Sequence, residues 1–262
     1  MMEDAEVHPL GYNPQVQVLK DGEGRVQKLN IKGLEYVPLH PELFTLSPEF
    51  FEDKLNEAVQ LGTKEAFLSV IEDQPVFGVF SFPCLKPEFC RLLLEELDHL
   101  ERSGVEMRRP NSMNRYGVIM EAVGFSALIR GMLDKYILPM SSVFFPDNGG
   151  ADIKYHHAFT VRYKLGEDKE LKKHVDNSDI TLNVCLGKEF EGGDLLFQGC
   201  KDSAIMKVPA KMHAYMREEK EALVRHKVGH ALLHLGSHIH SAKKLISGER
   251  VNLIIWCKAE AF

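Results

Sequence analysis

The segment HVDNSDITLNVCL, residues 174–186, joins a His-x-Asp pair to a run rich in apolar residues. Residues 180–186 have the length of one strand and contain Ile, Thr and Val, which favours a buried β-strand. His174 and Asp176 are two apart, and residues two apart in an extended chain point to the same face. The segment therefore predicts a sheet that presents an imidazole and a carboxylate side by side.

Further strand-like segments lie on both sides of this one. From residue 151 onward the apolar period falls from helical to about two residues, and Gly-rich or charged turns separate the segments. Several short strands close together are typical of a jelly-roll double sheet. We therefore predict an α+β protein with a mainly β core, a double-stranded β-helix, with strands at residues 151–163, 180–186, 194–197, 229–235 and 250–257.

The chain before residue 151 has a helical pattern instead. Residues 47–49, Ser-Pro-Glu, combine a capping hydroxyl with Pro at the first helical position, and Gly62 is expected to end that helix. Pro87 opens a longer helix with an apolar stripe. A further stripe after residue 124 predicts a helix that Pro139 halts, because proline lacks the backbone donor and clashes with the preceding turn.

Three parts of the chain follow from these patterns. Residues 1–75 are expected to form a partly helical segment of unknown function, and residues 76–150 to supply helices that support one sheet. Residues 151–262 are expected to form the catalytic double-stranded β-helix. A short strand is predicted at 76–80, and the charged stretch 212–225 is expected to be a loop or a short helix.

A second histidine and an arginine complete the candidate site. His240 lies sixty-six positions after His174, and Arg250 lies ten positions after His240. His238 shares a strand face with His240, so either could be the distal ligand. Arg250 favours His240, because Gly248 supplies a turn before a strand that begins at the arginine. The short spacing predicts that these two strands pair directly and bring the guanidinium near the imidazole.

The chemistry of these groups indicates a cofactor. Two imidazoles and a carboxylate can hold one face of a ferrous ion and leave other positions open, and the assembly carries a charge of about +1. 2-Oxoglutarate that chelates such an ion leaves a distal carboxylate, which a guanidinium can bind in bidentate fashion. His174, Asp176, His240 and Arg250 therefore predict an oxygenase that uses Fe(II), 2-oxoglutarate and O2.

Other histidine patterns compete with this interpretation. Four histidines spaced by four would form a zinc-type ligand row on a helix, although Gly229 and Gly236 argue against a continuous helix there; they are His226, His230, His234 and His238. His99 and Glu101 lie in the helix that Pro87 opens, where neighbours two apart point to nearly opposite sides. The segment 40–42, His-Pro-Glu, is expected at the surface.

Composition limits the partners of the chain. With 262 residues, 27% of them charged, and a net charge of −6, the protein has no basic excess to neutralise phosphates, so we expect neither nucleic-acid nor membrane binding. The five cysteines are odd in number and widely spaced, which favours free thiols in a reducing compartment. The acidic start lacks a secretory pattern. We therefore expect an intracellular protein, cytoplasmic or nuclear, unless the N-terminus is incomplete.

Several motifs resemble the prolyl and lysyl hydroxylase branch of the Fe(II)- and 2-oxoglutarate-dependent oxygenase superfamily. The order and spacing of motifs over roughly residues 157–257 are similar to those of the catalytic domain of procollagen lysyl hydroxylases. The motifs are FTVRY at 159–163, HVDNSDITLNVCL at 174–186, EGG at 191–193, GHALLHLGSHIH at 229–240 and GER at 248–250.

The resemblance implies a double-stranded β-helix with iron ligands at His174, Asp176 and His240 and a 2-oxoglutarate clamp at Arg250. It also implies that Tyr163 and Asn183 lie near the cosubstrate. L-Ascorbate, as a reductant for oxidised iron, is implied by the family alone.

The chain departs from the lysyl hydroxylase pattern at several positions near the pocket mouth, namely Val175, Ala242, Lys244 and Val251. The substrate therefore stays open between a protein lysyl or prolyl side chain, another protein side chain and a small molecule. Two other functions compete with an oxygenase. One is a catalytically silent metal-binding interaction module of the same fold. The other is a zinc hydrolase with an activated water, which would leave Arg250 without a role.

Overall fold

Two facing antiparallel sheets form the centre of the protein. The computed structural model describes residues 15–200 and 221–260. The larger sheet contains, in spatial order, β4 (Val79–Pro83), β11 (His230–Leu235), β7 (Ile180–Gly187), β13 (Leu245–Lys258) and β5 (Tyr155–Lys164), and β8 (Phe190–Gly192) pairs with the start of β13. The smaller sheet contains β10 (Ala222–Val224), β9 (Leu195–Cys200), β12 (His238–Ala242) and β6 (Leu171–His174).

Strict alternation along β13 divides the interior into two. Val251, Leu253, Ile255 and Cys257 join a hydrophobic cluster on the helical side of the larger sheet. Arg250, Asn252, Ile254 and Trp256 line a cavity between the two sheets. A one-residue shift would exchange these two sets, so the apolar pattern fixes the register of the strand. The predicted mainly β fold, with helices on one sheet, is confirmed.

The helices cover the outer face of the larger sheet. The longest helix, α3 (Pro87–Arg102), packs against β7, and its buried stripe includes Leu93 and Leu100. The remaining helices are short, and none of the described helices has the length and apolarity needed to cross a membrane. The helices are α1 (Asp53–Leu61), α2 (Lys64–Val70), α3 (Pro87–Arg102), α4 (Ser126–Met132) and α5 (Leu138–Phe144).

The predicted helix start at residues 47–49 is a short 3-10 turn, Pro48–Phe50, and α1 begins only at Asp53. Ser47 caps this turn by accepting a hydrogen bond from the backbone of Glu49 at 3.3 Å. Phe51 then forms an isolated bridge with Leu85, which interrupts the helix. Gly62 ends α1 as expected, in the left-handed conformation with φ of 63°.

Pro139 does not halt its helix, so that prediction was wrong. Between α4 and α5 the chain forms a π-helical turn, Leu133–Ile137, and Pro139 lies in the first turn of α5. The wider turn changes the hydrogen-bond pattern locally, so a residue without a backbone N–H is tolerated there.

Other boundaries also moved. The strand predicted at 76–80 begins later, as β4 (Val79–Pro83), because Gly78, with φ of 76°, forms a turn immediately before it. The strand predicted from 151 begins at Tyr155. In the stretch 212–225, residues 212–220 lie outside the described residues, and Ala222–Val224 is a strand rather than a loop or helix.

A third sheet closes the N-terminal side of the molecule and is formed by β1 (Val16–Lys20), β2 (Val26–Ile31) and β3 (Leu34–Tyr36). The fully buried Glu96 of α3 holds this part in place. Its carboxylate accepts hydrogen bonds from the Tyr36 hydroxyl and, at 2.6 Å, from the His40 backbone. Both oxygens of the buried acid are thereby satisfied. The five cysteines are free and buried, as expected for free thiols.

A largely buried carboxyl group beneath β5 gives the fold a measurable pH dependence. Burial raises the pKa of Glu121 to about 8, well above its ordinary 4.5, and Glu121 accepts a hydrogen bond from the Ala158 backbone at 3.1 Å. The stabilising contribution of the neutral acid is complete below pH 4.5 and is lost as the pH rises through about 8.

We therefore expect Glu121→Gln, which keeps the acceptor oxygen but cannot ionise, to be more stable than the natural protein at pH 9. The expected gain in unfolding free energy is at least about 1 kcal/mol, with a much smaller difference at pH 5. Thermal unfolding of both proteins at the two pH values measures it. Parallel pH profiles for the two proteins would contradict the assignment.

Candidate metal centre

Three side chains from two neighbouring strands and the turn beyond one of them converge between the sheets. His240 of β12 lies opposite His174 of β6 in the antiparallel register. Asp176 Oδ1 lies 3.6 Å from His174 Nε2 and 3.7 Å from His240 Nε2. One ligand atom from each residue lies within 4.8 Å of the other two. The structure thus brings together the three residues that the sequence nominated.

Backbone carbonyls fix the tautomer of both histidines. His174 Nδ1 lies 2.8 Å from the carbonyl oxygen of Lys172, and His240 Nδ1 lies 2.9 Å from that of His238. A carbonyl oxygen only accepts, so each Nδ1 carries the proton and each Nε2 presents its lone pair towards Asp176. Such an outer hydrogen bond orients an imidazole for metal ligation.

Asp176 reaches this position from a turn rather than from the strand, because β6 ends at His174. Its backbone N–H donates to Gly236 at 2.9 Å, and Thr181 donates to its Oδ2 at 2.8 Å, which leaves Oδ1 for the shared space. A Cβ at Gly236 would lie 2.1 Å from the carbonyl oxygen of Ser178. Only glycine allows these two turns to approach so closely.

Electrostatics suits a cation at this point. Burial lowers the pKa of His240, which keeps its ring neutral and able to ligate. Burial acts to raise the pKa of Asp176, but positive charge at the positions of the imidazoles, first that of His240, outweighs it and holds that pKa below its usual range. A cation bound between neutral rings would favour the ionised carboxylate in the same way. The set therefore offers two imidazole nitrogen donors and one carboxylate.

Arg250 lies in the same cavity and is only 2% exposed. Its guanidinium carbon lies 4.3 Å from the centre of the Tyr163 ring, and Nη1 donates to the carbonyl oxygen of Gly193. Its Nε has no hydrogen-bond partner, and no carboxylate among the described residues pairs with it. A buried cation with a free donor is the arrangement that an anionic ligand would complete.

The route by which Arg250 approaches the metal ligands differs from our expectation. β12 pairs with β6 and β9, whereas β13 pairs with β5, β7 and β8, so the two strands do not pair with each other. They belong to opposite sheets, and His240 and Arg250 face the cavity from both sides. The chain crosses from one sheet to the other between them, which a count of residues does not reveal.

The remaining cavity residues include both secondary candidates. Tyr163 and Asn183 line it, and Tyr163 accepts a hydrogen bond at 3.2 Å from Asn114, which lies in a segment for which the sequence analysis indicated no role. Burial raises the pKa of Tyr163, so its ring stays neutral beneath Arg250. Asn252 and Trp256 also line the cavity; alternation along β13 placed them on this face but indicated no role.

The competing histidine patterns do not form sites within the described residues. The segment from His230 to Leu235 is a strand, so the four histidines do not form a zinc-type row on a helix, in agreement with the argument from Gly229 and Gly236. His238 is 2% exposed, and its Nε2 lies 2.9 Å from the carbonyl oxygen of Phe77. Its ring therefore bonds to the turn that precedes β4 and not to the metal cluster. His240 is therefore the distal member of the cluster.

Comparison with known proteins gives consistent results. Residues 33–150 match the family model of the OGFOD2-like domain. The chain is 39% identical, over 92% of its length, to 2-oxoglutarate and iron-dependent oxygenase domain-containing protein 2 from Xenopus tropicalis, of which it covers 67%. It is 38% identical, over 87% of its length, to the oxygenase domain-containing protein CP2 from Arabidopsis thaliana, of which it covers 57%.

A solved structure has a similar fold. A prolyl-4-hydroxylase from Pseudomonas putida superposes with a TM-score of 0.52 at 14% sequence identity, over 74% of this chain and the whole of that one. At this level of identity the likeness concerns the fold alone. The chain spans about three fifths of the length of the first curated relatives it matches.

Proposed function

The chain belongs to the family of 2-oxoglutarate and iron-dependent oxygenase domain-containing protein 2, and from this membership we propose that it is an Fe(II)- and 2-oxoglutarate-dependent dioxygenase. It would hydroxylate a C–H bond of its substrate and form succinate and CO2. One observation carries the proposal. Three ligand atoms converge in the same cavity as a buried arginine whose Nε has no partner.

The residues present fit a ferrous ion. His174, Asp176 and His240 would bind it through Nε2, Oδ1 and Nε2, a donor set that suits non-haem Fe(II) and leaves positions open for cosubstrate and O2. The bound iron would supply the activation of O2. The protein would hold the ligands in one geometry and keep the cavity dry.

The same cavity fits the distal carboxylate of 2-oxoglutarate. Arg250 would pair with it, and the face of the Tyr163 ring would hold the guanidinium in place. Asn183 would donate a further hydrogen bond. We propose L-ascorbate as the reductant that returns oxidised iron to the ferrous state, on the resemblance to lysyl hydroxylases.

The substrate is proposed only by class. The resemblance to prolyl and lysyl hydroxylases favours a protein lysyl or prolyl side chain. However, Val175 and Ala242 depart from the lysyl hydroxylase pattern, so a lysyl side chain is not the only substrate that we propose. A small molecule uses the same chemistry. A product heavier by one oxygen atom is common to all these substrates.

The proposal predicts that the purified protein, loaded anaerobically with Fe(II), converts 2-oxoglutarate to succinate when O2 and a cell extract are added. Mass spectrometry should find one extract component heavier by one oxygen atom. Zn(II) in place of Fe(II) should give no succinate, because zinc has no redox chemistry. Stoichiometric zinc with hydrolysis of an ester or amide would instead favour the hydrolase. Tight iron binding without 2-oxoglutarate binding would favour the silent interaction module.

A further inference from the structure

Asn252, on the cavity wall, and His226, which does not line the cavity, form a polar chain that the proposed function does not use. Asn252 is 1% exposed and lies two residues after Arg250 on the same face of β13. Its Nδ2 donates to Asn183 Oδ1 at 2.7 Å and also lies 3.3 Å from His226 Nδ1. One amide group thus links a cavity residue to a histidine on the segment that precedes β11.

The first of these bonds sets the orientation of Asn183. Because its Oδ1 accepts from Asn252, its Nδ2 is the end left for the cavity, and Nδ2 donates to no described residue. An asparagine can turn its amide over at little cost unless neighbours fix it. In the opposite orientation the Asn183 oxygen would meet an incoming carboxylate and repel it.

The second bond fixes Asn252 itself. A donor amide at His226 Nδ1 requires the lone pair on that nitrogen, so the proton lies on Nε2. Burial, and then the charge of Arg250, lower the pKa of His226 well below its usual value, which keeps the ring neutral and able to accept. Both hydrogens of the Asn252 amide then have acceptors, whereas Asn252 Oδ1 and His226 Nε2 have no partner among the described residues. The two donated hydrogen bonds therefore hold the orientation of this amide.

We propose that His226 and Asn252 are positioning residues for 2-oxoglutarate, a relay that holds the Asn183 amide in its donor orientation in the cavity that Arg250 also lines. The proposal rests on the proposed function, because it assumes that an anion fills the cavity. Neither residue would contact the iron. Their removal should therefore weaken cosubstrate binding and leave metal binding intact, a separation that a general loss of stability would not produce.

The test measures the dissociation constant of 2-oxoglutarate under anaerobic conditions with Fe(II) bound. Trp256, the single tryptophan of the chain, lines the same cavity and serves as a fluorescent reporter. We expect His226→Phe and Asn252→Leu each to weaken binding about tenfold, the scale of one lost hydrogen bond. Because both act through one amide, the double variant should lose little more than either single variant.

Two variants separate a relay from a structural role. His226→Gln, whose carbonyl oxygen can accept from Asn252, should bind within about threefold of the natural protein. His230→Phe is the matched control, since that ring pairs with Glu72 on the surface, 3.2 Å away, and should change nothing. If His226→Phe does not fold, the comparison of Asn252→Leu with His226→Gln carries the test.

The outcomes are distinct. A natural protein that binds Fe(II) but not 2-oxoglutarate overturns the proposed function. If the natural protein binds both Fe(II) and 2-oxoglutarate, two results overturn only the relay. One is that the variants bind 2-oxoglutarate as tightly as the natural protein, and the other is that the losses of binding free energy in the two single variants add up in the double variant. Weakened Co(II) or Fe(II) binding in His226→Phe would also overturn it, because the role would then be structural.

Discussion

Replacement of Asp176 by alanine is expected to abolish iron binding and, with it, succinate formation. The carboxylate is the only anionic member of the cluster, and its Oδ1 lies within 3.7 Å of both imidazole nitrogens. Without it the metal would be held by two neutral donors. Because mutation of a residue that merely supports a metal ligand costs about 10–100-fold, loss of the ligand should exceed a hundredfold. His174→Ala should behave alike.

The measurements are metal content after anaerobic loading and succinate released per minute. His238→Gln is the matched control: this histidine is buried within two residues of His240, but its Nε2 bonds to the carbonyl oxygen of Phe77. It should retain iron and turnover. If Asp176→Ala keeps its full iron content, or if His238→Gln binds no iron, the assignment of His174, Asp176 and His240 as the metal ligands is wrong.

Local pattern was enough to identify the fold class and the cluster. The register of β13 follows from the alternation of its side chains, because a shift by one residue would exchange the set that faces the helices with the set that faces the cavity. The order of His174, Asp176, His240 and Arg250 indicated one cation site, and the structure brings all four to one cavity.

The rest depends on contacts between distant parts of the chain, which local pattern does not encode. Gly236 holds the turn that carries Asp176, but in sequence it is one glycine among twenty. The crossing of the chain between β12 and β13 places His240 and Arg250 in opposite sheets. Asn252 was recognisable only as a residue on the face of Arg250, because its partners Asn183 and His226 lie 69 and 26 positions away.

The π-helical turn before Pro139 shows the same limit at short range. A proline inside an apolar helical stripe normally ends the helix, and propensity alone gave that prediction. Packing decided otherwise, because Tyr136 and Ile137 on one side of the proline and Met140 on the other are each 2% exposed. Burial of this stripe stabilises the helix more than the lost hydrogen bond destabilises it.

Arg250→Met should raise the concentration of 2-oxoglutarate needed for half-maximal turnover by roughly thirtyfold to several-thousandfold. This range corresponds to the 2–5 kcal/mol lost when one partner of a buried charge pair is removed. Methionine keeps much of the side-chain volume above the Tyr163 ring, so the cavity should persist. Iron content should stay unchanged, since Arg250 does not belong to the metal cluster. Arg162→Met is the control, because this arginine pairs with Glu101 and Glu167 outside the cavity.

A substrate analogue makes the test specific for charge. 2-Oxobutyrate keeps the chelating groups of 2-oxoglutarate but lacks the distal carboxylate, so Arg250→Met should lose the preference for 2-oxoglutarate rather than the ability to use a 2-oxo acid.

Arg250 is also a buried cation whose pKa burial lowers, and no described carboxylate pairs with it. Such a charge costs stability until a ligand neutralises it. The ligand-free variant should therefore unfold at the same or a higher temperature, and 2-oxoglutarate should stabilise the natural protein much more than the variant. Equal stabilisation of both by 2-oxoglutarate would show that the arginine does not bind the cosubstrate.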